Sequence, residues 1–79
     1  MTNLRLSALA VEAIEHASLT TGVSRRLIHM PSRNDVPARN ARAVAMDHMK
    51  MQGASVDEIS RAFTCDVKTV RSSIKLARK

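Results

Sequence analysis

Apolar residues recur at three- and four-residue intervals along the chain, and nowhere do they alternate with polar ones long enough for a strand. A first helix is expected over about 7–19, where Leu9, Ala10, Ile14 and Ala17 share one face. Thr20, Thr21 and Gly22 end it, with Gly22 free to take the left-handed conformation that closes helices. Ser24 caps a short second helix over about 25–29, whose Leu27 and Ile28 reach the core. Residues 30–37, MPSRNDVP, form a loop. Pro31 stops what precedes it, and Pro37 suits the first turn of the next helix, where a missing N–H costs nothing. The third helix is expected over about 37–52, with Ala41, Val44, Ala45, His48 and Met49 on one face and Gly53 at its end. Ser55 followed three residues later by Glu58 is a capping box, which opens a fourth helix over about 56–63. Asp66 caps and begins the fifth, which continues to about residue 77. The expected fold class is all-α: a single small domain over 1–79, of about five helices.

Two of these helices lie within SVDEISRAFTCDVKTVRSSIK, residues 55–75, separated by Thr64, Cys65 and Asp66. Ile59 and Phe63 are four apart, as are Val70 and Ile74, so each helix turns one apolar pair inward. Cys65 is small and apolar just inside the turn, and Ser60 and Ser73 are small where two steeply crossing helices approach closely. A helix-turn-helix over 55–77 needs these residue types at these intervals, because its helices meet across three or four residues. A plain corner between packed helices shows the same pairing. Thr64 stands where such turns often hold glycine; a β-branched residue disfavours positive φ, which predicts a longer or differently shaped turn.

Charge changes the picture. Thirteen Lys and Arg against seven Asp and Glu give a formal net charge of +6, which attracts polyanions, nucleic acid first and anionic membrane second. The excess is concentrated: residues 61–79 carry six bases and one acid, residues 25–42 five bases and one acid, and residues 1–24 one Arg and two Glu. On the fifth helix, Val67, Lys68, Arg71, Ser72 and Lys75 point away from Val70 and Ile74. Lys68, Arg71 and Lys75 make a basic strip with no acid among them, where a merely soluble helix mixes signs. The start of such a helix is the part that enters the major groove. Double-stranded DNA is therefore the expected partner, ahead of a solvated basic face.

The motifs ARAVAM on a helix, then SVDEISRAF, then DVKTV resemble the C-terminal DNA-binding domain of the bacterial replication initiator DnaA. That family shows an R-x-x-A-M helix, an S-x-x-E-I-G-x-x-F helix and an R-D-H-T-T-V signature. GVSRRLI resembles the short helix before the family's basic loop, and Ser32–Arg33 the start of that loop, so the resemblance spans roughly 9–79. It implies a DnaA C-terminal-domain-like (TrpR-like) fold. It also implies a major-groove helix-turn-helix with a basic-loop arginine, matched by Arg33, in the minor groove. Arg42 matches the arginine near the DNA backbone, and Asp66 and Thr69 match the aspartate and second threonine of the signature. Cys65 stands where the signature arginine would be, Val67 and Lys68 replace the base-reading histidine and first threonine, and Arg71 replaces an apolar or small residue. Direct readout depends on the groups offered to base edges, so the initiator's own box is not the expected target. No ATPase domain is recognisable. The expected DNA-binding set is Arg33, Arg39, Arg42, Asp66, Val67, Lys68, Thr69, Arg71, Ser72 and Lys75, in a regulator of transcription, an activator of the kind found in phage-like and gene-transfer-agent systems. The alternatives are a DnaA-related replication-control protein acting near an origin and a helical protein-interaction module with a basic face. A regulator of this type also engages RNA polymerase or another replication or transcription protein. DNA binding requires Arg33 and the Lys68–Arg71–Lys75 strip to face one side.

Other chemistry is poorly supported. His16, His29, His48 and Cys65 lie on different elements without zinc-ligand spacing; no metal, cofactor or small-molecule ligand is expected. His48 reads as a partly buried core residue with one hydrogen bond and Cys65 as a small hydrophobe. No catalytic triad or carboxylate pair is recognisable, so a non-enzyme is expected. Met46 and Met51 fall off the stripe of the third helix; they pack against the first helix or offer a soft patch to a partner. Phe63 is the only aromatic residue and Cys65 the only cysteine, so the core is aliphatic and no internal disulfide forms. No apolar run is long enough to span a bilayer and the N-terminus lacks a signal-peptide pattern, which leaves a cytoplasmic, nucleoid-associated location as the expectation. Lys79 ends the chain hard against a helix, consistent with a fragment of a longer regulator cut at a domain boundary.

Overall fold

A computed structural model describes residues 4–29 and 35–78, with side chains from residue 8 onward. The described residues form five helices and no strand: α1 (Leu4–Thr21), α2 (Arg25–His29), α3 (Val36–Met51), α4 (Val56–Phe63) and α5 (Val67–Ala77). The fold is all-α. Residues 30–34, which include Met30, Pro31 and Arg33, lie outside the described residues, as does Lys79.

Local chemistry sets the helix ends. The carboxylate of Asp35 accepts from the Ala38 N–H at 3.0 Å, so α3 starts one residue before Pro37, capped by an acid that the proline rule alone does not single out. The Ser55 hydroxyl accepts from the Glu58 N–H, and the Glu58 carboxylate accepts from the Ser55 N–H, which completes the expected capping box. The first helix is longer than its apolar stripe, beginning at Leu4 and ending at Thr21. Its C-terminal extension has a clear cause. The Thr21 hydroxyl donates back to the Ala17 carbonyl at 2.7 Å, so this β-branched residue continues the helix instead of ending it. Gly22 then closes it at φ +78°.

Helix α3 is the centre of the molecule and packs against each of the other four helices. Ala13 and Ala17 of α1, Ile28 of α2, Ala41, Ala45, Met46 and Met49 of α3, Ala54, Ile59, Phe63 and Val70 make one buried cluster. Its alanines let helix axes approach closely, while Met46, Met49, Ile59 and Phe63 fill the remaining volume. Met46 is fully buried, unlike the solvent-side patch considered for it, because α3 is buried along two flanks and not on one stripe. Met51 is 73% exposed. The His48 side chain is mostly enclosed and stacks on His16 with ring centroids 4.3 Å apart. Its Nε2 stands 3.7 Å from the Glu12 carboxylate, too far for the hydrogen bond expected of it. Arg78 donates to Asp47 at 2.8 Å and so ties the end of α5 back to α3.

Candidate nucleic-acid interface

Helices α4 and α5 are joined by Thr64, Cys65 and Asp66. Thr64 adopts the left-handed conformation at φ 54°, ψ 50°. The Cys65 N–H donates to the Ser60 carbonyl at 3.0 Å and the Thr64 N–H to the Arg61 carbonyl at 3.4 Å, the two bonds of a Schellman closure. The turn is therefore short despite Thr64. The expected lengthening does not occur, because the paired carbonyl acceptors hold a threonine in the place a glycine would take more easily. Asp66 is extended at φ −84°, ψ 163°, and its carboxylate accepts from the Thr69 N–H at 2.8 Å. Hydrogen bonding from Thr69 holds the Asp66 carboxyl below the usual carboxylate range, with Lys68 adding a smaller pull in the same direction.

Arg42 ties this corner to α3. Its guanidinium donates to the Phe63 carbonyl, the last of α4, and lies 5.2 Å from the centre of the Phe63 ring. A cation is favourable at a helix C-terminus, and here it also supplies a donor to a carbonyl that the helix leaves unpaired. Its Nε is enclosed and makes no hydrogen bond among the described residues. Beside it, burial pushes the Cys65 thiol above its ordinary range, outweighing the opposing effect of Arg42. The thiol is thus protonated and packs as a small hydrophobe.

Between α3 and α5 lies a groove of about 700 Å³. Arg39, Arg42 and Met46 line it from α3, Thr64 and Cys65 from the turn, and Lys68, Thr69, Ser72, Ser73 and Leu76 from α5. Five residues of the sequence-derived set are thereby brought together: Arg39, Arg42, Lys68, Thr69 and Ser72. Asp66 is exposed at the mouth of α5 with one carboxylate oxygen committed to its cap. Val67 is half-buried, not fully outward, because it lies beside the Val70–Ile74 face on the helix circumference. Ser60 is half-buried with its hydroxyl donating to the Asp57 carbonyl, and Ser73 turns towards α3.

The basic strip of α5 is divided. Lys68 lines the groove against α3, whereas Arg71 and Lys75 line a second concavity of about 530 Å³ together with Lys50, Val56, Ile74 and Arg78. Sequence reasoning did not single out Lys50 and Arg78, which reach this cleft from the ends of α3 and α5; nothing in local spacing brings them together. Arg33 lies outside the described residues, while Arg39, from the same basic segment, shares the groove with Lys68. Among the described residues no cluster of three or more His, Cys, Asp or Glu side chains is placed to hold a metal ion, and no helix is long and apolar enough to cross a membrane. Compared with protein-family models, with curated proteins and with solved structures, the chain matches none.

Proposed function

We propose that this chain binds double-stranded DNA through α4 and α5 acting as a helix-turn-helix, with the start of α5 in the major groove. The observation that carries the reading is the convergence of Arg39, Lys68, Thr69 and Ser72 around one groove at the N-terminal half of α5, on a helix whose start is fixed by the Asp66 cap and the Thr64 turn. Base readout needs a helix held in one orientation, with donors and hydroxyls at its leading end. Lys68 and Arg39 supply charge for phosphates or guanine edges, Thr69 and Ser72 supply hydroxyls, and the Val67 methyls suit a thymine. Asp66, exposed at the start of α5, accepts from a cytosine or adenine amino group in addition to capping the helix. Arg42 acts through the scaffold, holding the corner against α3. Arg33 enters the neighbouring minor groove, as the resemblance to the DnaA domain implies.

The biological role that fits this chemistry is regulation of transcription, with a DnaA-like domain used at promoters and a polymerase or other transcription protein as the second partner. The test is selection of bound duplexes from a randomised pool by the wild-type chain and by Lys68→Thr, followed by mapping of occupied sites in the native host. A recovered motif that changes at one position in the variant, and sites clustered upstream of genes, is the expected result. Sites clustered at an origin would assign the chain to replication control. A pool that emerges unenriched would end the DNA reading in favour of a protein-interaction module.

A further inference from the structure

The cleft on the far side of α5 differs in character from the groove facing α3. Val56 and Ile74, both half-buried, form an apolar floor, and Lys50, Arg71, Lys75 and Arg78 surround it. Of these cations, Arg78 is paired with Asp47. An apolar floor is a poor seat for a phosphate backbone and a good one for a helix that carries both aliphatic and carboxylate side chains.

The same chain presents such a helix. On α1, Val11 is 62% exposed and Leu19 is 82% exposed. Glu12 and Glu15 are exposed between them, and at about 100° per residue all four fall on one outward arc of the helix. These two glutamates make it an acidic face on a molecule whose net charge is +6. A copy cannot fill its own cleft with this face. His48 turns towards α1, where it meets His16 and Glu12. Lys50, two residues further along α3, projects about 200° away from it.

We propose that copies of this chain associate head to tail, the outward face of α1 from one molecule seated in the basic-rimmed cleft of the next. Val11 and Leu19 cover Val56 and Ile74, while Glu12 and Glu15 face Lys50 and Lys75. Because the two patches differ, the contact is heterologous and each added copy leaves one patch of each kind open, so association continues along a row instead of stopping at a pair. If the chain binds DNA as proposed above, such a row gives cooperative filling of adjacent sites; the contact itself needs no DNA.

The experiment is sedimentation of the free chain at near-physiological salt, where a screening length of about 8 Å mutes net repulsion between copies but not contacts within the cleft. The wild-type mass should rise with concentration. Two variants with all substitutions at exposed positions, E12K/E15K and K50A/K75A, should each remain monomeric, with circular dichroism confirming unchanged helix. Mixed in equal amounts, they retain one intact face and one intact cleft between them, so they should form a species that stops at a dimer. A wild-type chain that stays monomeric at millimolar concentration, a single variant that still associates, or a mixture no heavier than its parts overturns the proposal. All three outcomes are read without DNA, so they stand apart from any failure of DNA binding.

Discussion

At Thr64 the chain carries a β-branched residue at φ 54°, a conformation that costs an L-residue with a Cβ roughly 1–2 kcal/mol. Its side chain is exposed, so no packing depends on it. Thr64→Gly removes the steric cost but adds freedom to the unfolded chain, about 0.5–1 kcal/mol in the other direction. The expected net effect is stabilisation by about 0.5–1 kcal/mol and a melting temperature raised by a few degrees. Thermal unfolding followed by circular dichroism checks it, and a lowered melting temperature would mean that Thr64 contributes a contact of its own. Two residues on, Asp66 makes a pH-dependent contribution. Its folded pKa is depressed by hydrogen bonding from Thr69, so its stabilising effect is present above the unfolded value of about 4 and is lost as pH falls through the lower, folded value. Asp66→Ala should therefore melt earlier than wild type at neutral pH, with the gap closing in strong acid. Asp66→Asn keeps an oxygen acceptor for Thr69 but not the charge, so it should melt between Asp66→Ala and wild type at neutral pH and lose the pH dependence; melting equal to wild type would mean that the charge adds nothing to the cap.

At the level of elements, those with their own punctuation were legible in the sequence. Ser55 with Glu58, Asp66 and the terminating Gly22 and Gly53 each bracket a helix by local backbone chemistry, and α2 and α4 have the bounds these signals predict. Contacts between residues far apart in sequence were not legible. Met46 lies off the stripe formed by Ala41, Ala45 and Met49, and its burial follows only from the placement of α5 along a second flank of α3. Arg42 is similar: its partner carbonyl is 21 residues away, and no local pattern distinguishes a strut from a phosphate contact. The two roles separate experimentally. As a strut, Arg42→Met keeps most of the stem but leaves the Phe63 carbonyl without its donor, which should cost roughly 1–3 kcal/mol of stability in the free chain. A residue that only touched phosphate would leave urea unfolding without DNA unchanged, or slightly improved by relief of charge repulsion. The candidate groove was half legible for the same reason. Lys68, Thr69 and Ser72 follow from helical spacing on α5, but the meeting of that face with Arg39 and Arg42 depends on how α5 crosses α3.

Across the whole molecule, the +6 net charge is divided among surfaces for which different tasks are proposed, and salt dependence can tell them apart. Each phosphate neutralised by a bound cation contributes roughly 0.9 to the slope of log affinity against log salt. Lys68 lines the groove at the start of α5, whereas Lys50 lines the other cleft, assigned above to a second copy. On a short duplex that holds one chain, the wild type should lose affinity steeply as salt rises. Lys68→Ala should flatten the slope by about 1 if the lysine contacts phosphate. If it reads a base instead, the slope should stay near wild type while discrimination at one position of the site falls by about 1–3 kcal/mol. Lys50→Ala removes the same charge from the molecule and should change neither quantity beyond a small uniform effect. Equal loss of slope in the two variants would mean that DNA responds to overall charge and not to the groove. The α4–α5 corner would then have no special part in binding. Fluorescence anisotropy at four or five salt concentrations is enough to separate these outcomes.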